Sequence, residues 1–347
     1  MQPYNGGNDP QRGGVYSTGH GFYNPYAEPE WKREKKRIRA AGNGIGLASV
    51  GYVAISFGAV LFLYAAIGVV NALRGGNFME VGENAQWVVT LITYILSLIV
   101  PFGIYALCIQ MPIGAAFPFR KMRGDITVGG IFVGLGAGIV ASYATSYLEQ
   151  ALGLFGIGIS MPELEIPTAL PAKILYIITM TVAPAFIEEM VFRGIVMQSL
   201  RRFGDMFALV SSAIIFGIFH LNLIQTPYAF ILGLCIGYFV MRTGSLWVGV
   251  IMHFLNNSIA TVLTLAEPYC SEEMFLFINL AYSLAAVMCG IIALCLLLVK
   301  YRDMFRFGDA PGVLSSGKRA AYFLTSPALI IAMLTAVVLT AQYIEIL

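Results

Sequence analysis

The sequence TVAPAFIEEMVFRGIVMQ, residues 181–198, places two adjacent carboxylates, Glu188 and Glu189, within an apolar run that extends over residues 174–197. A helix needs about 20 predominantly apolar residues to cross a bilayer, so this run predicts a membrane-spanning helix. A carboxylate near the middle of a membrane costs at least ~2.5 kcal/mol, and such residues normally face a bundle interior or a wet cavity. We therefore expect the two glutamates to be functional, with a structural ion pair near the interface as the alternative.

Composition extends this interpretation to the whole chain. Of its 347 residues, 58% are hydrophobic and 12% are charged, whereas soluble domains carry roughly 25% charged residues. The apolar runs predict an all-α fold, a polytopic transmembrane helical bundle with about nine spans, eight being possible. They lie near residues 46–73, 86–110, 126–147, 174–197, 205–221, 226–242, 245–265, 274–299 and 322–344.

Charge sets the expected orientation of the bundle. Composition divides the chain into a disordered polar arm (1–30), a basic juxtamembrane segment (31–45) and a transmembrane bundle (46–347). The apolar runs from the glutamate-bearing one onward, about 174–265, hold the candidate catalytic core for the reasons given below. Lys and Arg residues concentrate in alternate loops, and only Arg74 and Lys173 fall on the other side or at its boundary. The positive-inside rule therefore favours nine spans and a cytoplasmic N-terminus. The net charge of +2 gives no support for a nucleic-acid partner.

The spacing of one arginine separates the two glutamates chemically. Arg193 follows Glu189 by four residues, which is the favourable order and spacing for an ion pair on one helix face. Arg193 can thus hold one carboxylate ionised, while the other, about 100° further round the helix, can take up and release protons. Two carboxylates in different environments can supply both a base and an anchored charge.

Two histidines lie in later apolar runs, His220 in FGIFH and His253 in HFLNN. A single buried histidine is more often a packing residue, but two histidines in the same spans as two buried glutamates favour a catalytic site. His253 and Asn257 are four residues apart, so both can donate hydrogen bonds to one oxygen, as an oxyanion site requires. Helix–helix contact is the alternative role for Asn257. Asn222, close to His220, either supports the site or caps a helix.

The residues alone leave the question of a metal open. Glutamate and histidine are both zinc ligands, so Glu188, Glu189, His220 and His253 have the chemistry of a metal site. A Glu-plus-His site can also activate water by general base catalysis without a metal. The chain contains no HExxH and no GxSxG motif, so zincin and lipase-type sites lack support.

Three motifs resemble those of the CPBP family, the CAAX proteases and bacteriocin-processing enzymes, also called Abi. EEMVFR (188–193) matches the EExxxR motif, FGIFH (Phe216 to His220) matches FxxxH, and HFLNN (His253 to Asn257) matches HxxxN. The motifs occur in family order and within apolar runs. Each is weak alone, but their order and setting make the combination specific.

The resemblance implies a bundle similar to the type II CAAX prenyl endopeptidase and a mechanism without a metal cofactor. The implied roles are water activation by Glu188 and His220, oxyanion stabilisation by His253 and Asn257, and orientation and charge balance by Glu189 and Arg193. Similarity to bacterial members predicts an integral protein of a bacterial plasma membrane. Its expected partners are the lipid bilayer and a peptide or membrane-protein substrate.

Two other classes of function compete with an intramembrane endopeptidase. A non-catalytic membrane adaptor or bacteriocin-immunity factor would keep the fold, but it would not need the water-activating residues Glu188 and His220. A proton-coupled transporter could use the glutamates and histidines as a relay. Transporters often show internal repeats, and this chain shows no convincing repeat. The endopeptidase is therefore the leading hypothesis.

Overall fold

A computed structural model describes residues 28–78, 80–160, 165–308 and 312–347, and these form a helical bundle. The first helices are α1 (Glu30–Leu73), α2 (Glu83–Cys108), α3 (Ile113–Ala116), α4 (Gly124–Leu154), α5 (Leu170–Ile177), α6 (Ala183–Glu188) and α7 (Met197–Leu200). They are followed by α8 (Asp205–Ile218), α9 (Gln225–Thr243), α10 (Leu246–Ala266), α11 (Glu272–Lys300), α12 (Ser316–Leu324) and α13 (Pro327–Ala341). The all-α membrane bundle predicted from composition is confirmed. Most of the predicted disordered arm, residues 1–27, lies outside the described residues.

Residues 170–203 form one long apolar rod that carries the glutamates. Its helical segments are joined by two π-helical turns, Ile178–Val182 and Glu189–Val196, and it ends in a 3₁₀ turn, Arg201–Phe203. Turns of π-helix inside an α-helix occur frequently at functional sites, because the extra residue per turn re-aims the side chains. The second of these turns begins at Glu189, directly after Glu188.

The number of spans differs from the expected nine. Within the described residues, seven helices are long and apolar enough to cross a membrane. An eighth span would come from α12 and α13, which are bent by 67° at their junction. The predicted run at 205–221 is the exception, because α8 has 14 residues and is only about 21 Å long, against a hydrocarbon core of about 30 Å. The count of nine is therefore not confirmed.

Helices α8 and α9 form a hairpin, so the end of α9 lies at the same end of the bundle as the start of α8. The backbone N–H of Asp205, at the start of α8, donates to Gly308 O across 3.1 Å. The hydroxyl of Tyr238, near the end of α9, donates to Met304 O across 2.5 Å. Because α8 is short, the turn between the two helices, residues 219–224, is expected to lie within the thickness of the membrane. That turn carries His220.

Basic residues from distant parts of the chain meet at this same end. Arg319 donates to Glu34 Oε1 across 2.7 Å and to Phe203 O across 2.9 Å, which ties α12 to α1 and to the end of the 170–203 rod. Lys300, at the end of α11, lies 2.6 Å from Asp125, at the start of α4. This clustering agrees with the loop charges from which the cytoplasmic N-terminus is predicted.

A short antiparallel sheet joins two chain segments at the other end of the bundle. Its strands are β1 (Ile157–Ile159), after α4, and β2 (Ile344–Ile346), after α13, and Gly158 pairs with Glu345. The buried core lies between α1, α2, the 170–203 rod, α8, α9 and α10. Phe192 is central to it, with ring centroids 6.0 Å from Phe102 and 5.1 Å from Phe216. The core therefore holds the motif-bearing helices against one another.

Candidate active site

Glu188 lies at the junction of α6 and the second π-helical turn, and its two carboxylate oxygens differ in their contacts. Oε1 accepts a hydrogen bond of 2.7 Å from the hydroxyl of Tyr94, on α2. Oε2 accepts no hydrogen bond from any described residue and lies 3.7 Å from His253 Nε2. The Glu188 side chain is 15% exposed and borders the cavity described below, although Oε2 itself is buried.

Glu189 is closed off completely, with 0% exposure. Its Oε1 atom accepts from Arg193 across 2.7 Å, which is the ion pair that the four-residue spacing predicts. The Arg193 guanidinium also donates to Gly233 O across 3.5 Å and lies 4.1 Å from the centroid of the Phe216 ring. A buried cation over an aromatic face gains a further favourable interaction. The pair therefore fixes a charge behind the site and contacts the FxxxH motif.

His253, on α10, lies between the two carboxylates. Its Nδ1 atom is 2.9 Å from Glu189 Oε1, and because a carboxylate accepts, Nδ1–H donates. Its Nε2 atom faces Glu188 Oε2.

His220 lies just after α8, and the last turn of that helix holds its ring in one orientation. Its Nδ1 atom lies 2.9 Å from Phe216 O, and since a carbonyl can only accept, Nδ1–H donates and the neutral ring keeps its lone pair on Nε2. The Phe216 ring lies between the two imidazoles, with centroid distances of 5.0 Å to His220 and 6.0 Å to His253. Phe216 thus acts as an aromatic spacer that sets the positions of both histidines.

A chain of hydrogen bonds fixes the side chain of Asn257. Tyr228, on α9, donates to Asn256 Oδ1 across 2.9 Å, and Asn256 Nδ2 donates to Asn257 Oδ1 across 3.2 Å. Asn257 Nδ2 in turn donates to Met180 O, in the first π-helical turn, across 3.2 Å. The amide has a second N–H, which remains available for a ligand. Asn222 has a different place, since its Oδ1 atom accepts from the N–H groups of Ile224 and Gln225 and caps the start of α9.

These side chains open onto one cavity of about 990 Å³. Its wall includes four predicted site residues, Glu188, His220, His253 and Asn257, together with Tyr94 and Phe216. Hydroxyl and amide side chains of other helices complete it, among them Ser142, Ser146, Thr264, Asn279 and Ser283. Backbone groups inside a membrane need hydrogen-bond partners, so a cavity of this chemistry can hold water and an extended peptide.

The arrangement does not fit a metal ion. Among the described residues, no three His, Cys, Asp or Glu side chains are grouped so that they could hold one. The four candidate ligands do not form such a group, and one of them, Glu189, already accepts from Arg193 and His253 through Oε1.

Three contributors to the site lie outside the predicted set: Tyr94, Tyr228 and Asn256. Tyr94 is distant in sequence from all three motifs, but it shares one face of α2 with Trp87 and Phe102, seven residues before it and eight after. The spacing of these aromatic residues is the sequence signal that could have identified Tyr94. Asn256 stands beside Asn257 in sequence, and no pattern distinguished it.

Comparison with known proteins gives one match. Residues 170–259, about a quarter of the chain, match the family model described as type II CAAX prenyl endopeptidase Rce1-like. The matched segment begins with the 170–203 rod and ends two residues after Asn257, so it contains all three motifs. No curated protein and no solved structure gives a significant match.

Proposed function

We propose that this chain, whose residues 170–259 form an Rce1-like domain, is an intramembrane endopeptidase that hydrolyses a peptide bond of a membrane-associated protein or peptide. The observation that carries the proposal is the convergence of Glu188, His220, His253 and Asn257 on one polar cavity, with the buried Glu189–Arg193 pair behind it. If the two glutamates served only a structural ion pair, the second carboxylate, that of Glu188, would not need to border the cavity.

Glu188 is the proposed general base. Its carboxylate removes a proton from water, while the Nε2 lone pair of His220 accepts the second hydrogen bond of that water and orients it. The water oxygen then bonds to the carbonyl carbon of the substrate, and the carbonyl electrons move onto oxygen. Glu188, now protonated, returns its proton to the leaving nitrogen as the C–N bond breaks. The products are a carboxylic acid and an amine, and the base is regenerated.

His253 and Asn257 are the proposed donors to the oxyanion. As imidazolium, His253 presents Nε2–H toward the cavity because Nδ1–H is already committed to Glu189. Asn257 presents its second amide N–H because the first is bonded to Met180 O. Donors that are fixed before the reaction stabilise developing charge without reorganisation, and losing one such donor typically costs about 100-fold or more in rate.

The test is cleavage of a quenched fluorescent peptide library by protein purified in nanodiscs. Wild type is compared with Glu188→Gln and His220→Ala, and with Glu272→Gln as a control that makes the same change at an exposed glutamate. We expect Glu188→Gln to reduce turnover by about 100-fold or more and Glu272→Gln to leave it unchanged. Equal cleavage by wild type and both site variants would reveal a contaminating protease and overturn the proposal.

A further inference from the structure

We infer that Tyr94 is a positioning residue of the reaction, one that fixes the Glu188 carboxylate by binding Oε1 and thereby turns Oε2 toward His253. This inference rests on the proposed function. Tyr94 belongs to α2, outside residues 170–259 and outside the three motifs. Its hydroxyl is 2.7 Å from Glu188 Oε1 and borders the same cavity.

The carboxylate of a glutamate side chain can rotate about its last bond. The terminal torsion of glutamate is broad and roughly two-fold, so an unrestrained carboxylate would exchange and tilt its two oxygens. The bond from Tyr94 removes this freedom, because it engages Oε1 and leaves Oε2 opposite His253 Nε2 at 3.7 Å. No described residue donates a hydrogen bond to Oε2. Tyr94 thus anchors one oxygen and fixes the other, which is itself buried, beside His253.

The helix α2 is itself fixed against the glutamate-bearing rod. Trp87 packs edge-on against Tyr176 with a centroid distance of 5.0 Å, and Phe102 lies 6.0 Å from Phe192. These contacts lie on either side of Tyr94, on the same helix face, because seven and eight residues are close to two helical turns each. The phenol is therefore placed by two aromatic contacts, and its hydroxyl reaches Glu188 from a rigid element.

The chemistry of the contact suits a general base. A phenolic O–H donates to a carboxylate in a charge-assisted bond, which is stronger than a bond between neutral groups. The bond offsets part of the cost of placing a carboxylate at membrane depth. It leaves the proton count unchanged, because Tyr94 keeps its proton throughout. The bond raises the fraction of time that Glu188 spends in the reactive geometry. This fraction affects kcat more than it affects substrate binding.

Tyr94→Phe tests the inference because it removes the hydroxyl and keeps the ring. We expect kcat to fall about tenfold or more with KM close to that of wild type and with only a modest loss of thermal stability. The matched control is Tyr105→Phe, which makes the same change on the same helix, where the hydroxyl lies 3.2 Å from Ser199 Oγ. The control should retain wild-type kcat. Tyr94→Leu, which also removes the ring, should lose kcat to a similar extent and lose stability in addition.

The outcomes separate this inference from the proposed function. An active wild type together with a Tyr94→Phe variant of unchanged kcat would overturn the positioning role and leave the peptidase intact. A rise in KM with kcat unchanged would overturn it as well, since that pattern belongs to substrate binding. A wild type that cleaves no peptide would overturn the proposed function, and the positioning role with it.

Discussion

The guanidinium of Arg193 donates to Glu189 across 2.7 Å with both side chains shut off from solvent, at 1% and 0% exposure. The same carboxylate oxygen accepts from His253 Nδ1. Because the guanidinium also lies over the Phe216 ring, this one pair contacts all three motifs. The ion pair links the 170–203 rod to α8 and α10, so we expect its loss to lower stability as well as activity.

Replacement of Arg193 by methionine is expected to destabilise the protein strongly. The change leaves Glu189 buried without its cation, and breaking a buried pair in this way costs about 3–5 kcal/mol. The matched control is Arg201→Met, which removes an ion pair of the same four-residue spacing between Arg201 and Asp205, whose side chains are 39% and 21% exposed. The control should cost no more than about 1 kcal/mol.

Equilibrium unfolding in detergent measures both changes. Equal effects of Arg193→Met and Arg201→Met on the free energy of unfolding would contradict the assigned role of the buried pair. Unchanged folding of Arg193→Met with lost cleavage would instead assign Arg193 a purely catalytic part.

The sequence predicts the elements of this site whose partners lie on one helix. The spacing of Glu189 and Arg193 predicts their ion pair, because four residues bring side chains onto one helix face. Hydropathy likewise predicts a membrane bundle, because only long apolar helices can satisfy the backbone inside lipid. The resemblance to the CPBP family was found on three motifs, and the matched segment contains them all.

Contacts between distant helices were not predictable in the same way. Tyr94 reaches Glu188 across 94 positions of sequence, and a tyrosine in an apolar helix has many other uses. Asn257 donates to a backbone carbonyl, Met180 O, which is exposed to it by a π-helical turn that hydropathy does not encode. The run at 205–221 looked like a span because composition carries no information on where the helix stops.

Substitution of Asn256 by leucine is expected to reduce turnover although Asn256 has no proposed contact with substrate. Its Nδ2 atom donates to Asn257 Oδ1, so it fixes which end of the Asn257 amide faces the cavity. Without this bond the amide can rotate and present its oxygen to the oxyanion. We expect kcat to fall about tenfold with a smaller change in KM.

Steady-state kinetics on a cleaved library peptide checks this prediction. Tyr228→Phe, which removes only the next link of the chain, should give a smaller loss of kcat. A wild-type kcat in Asn256→Leu would show that Asn257 is held by Met180 alone.

Treatment with a chelator is expected to leave cleavage unchanged. Glu189 Oε1 already accepts from Arg193 and His253, and the described residues form no three-ligand group for a metal. Cleavage would be measured after dialysis against EDTA and again after addition of zinc. Loss of activity on dialysis followed by recovery with zinc would contradict a mechanism in which Glu188 and His220 activate water without a metal.

The last prediction concerns Gly249, one turn before His253 on the same face of α10. A methyl group added here would lie 2.6 Å from Glu189 Oε2 and 2.8 Å from Val240 Cγ2, and the ion pair with Arg193 holds the Glu189 carboxylate in place. Gly249→Ala should therefore push α10 away from the rod and lengthen the contact between His253 and Glu189. We expect a fall in kcat together with a lower unfolding temperature.

The control is Gly103→Ala on α2, where an added methyl group has no heavy atom within 4 Å. Because alanine favours helix over glycine by about 1 kcal/mol, that variant should be at least as stable as wild type. Equal behaviour of the two variants would mean that α10 can shift without disturbing the site, and the close fit of His253 between the carboxylates would then not be required for catalysis.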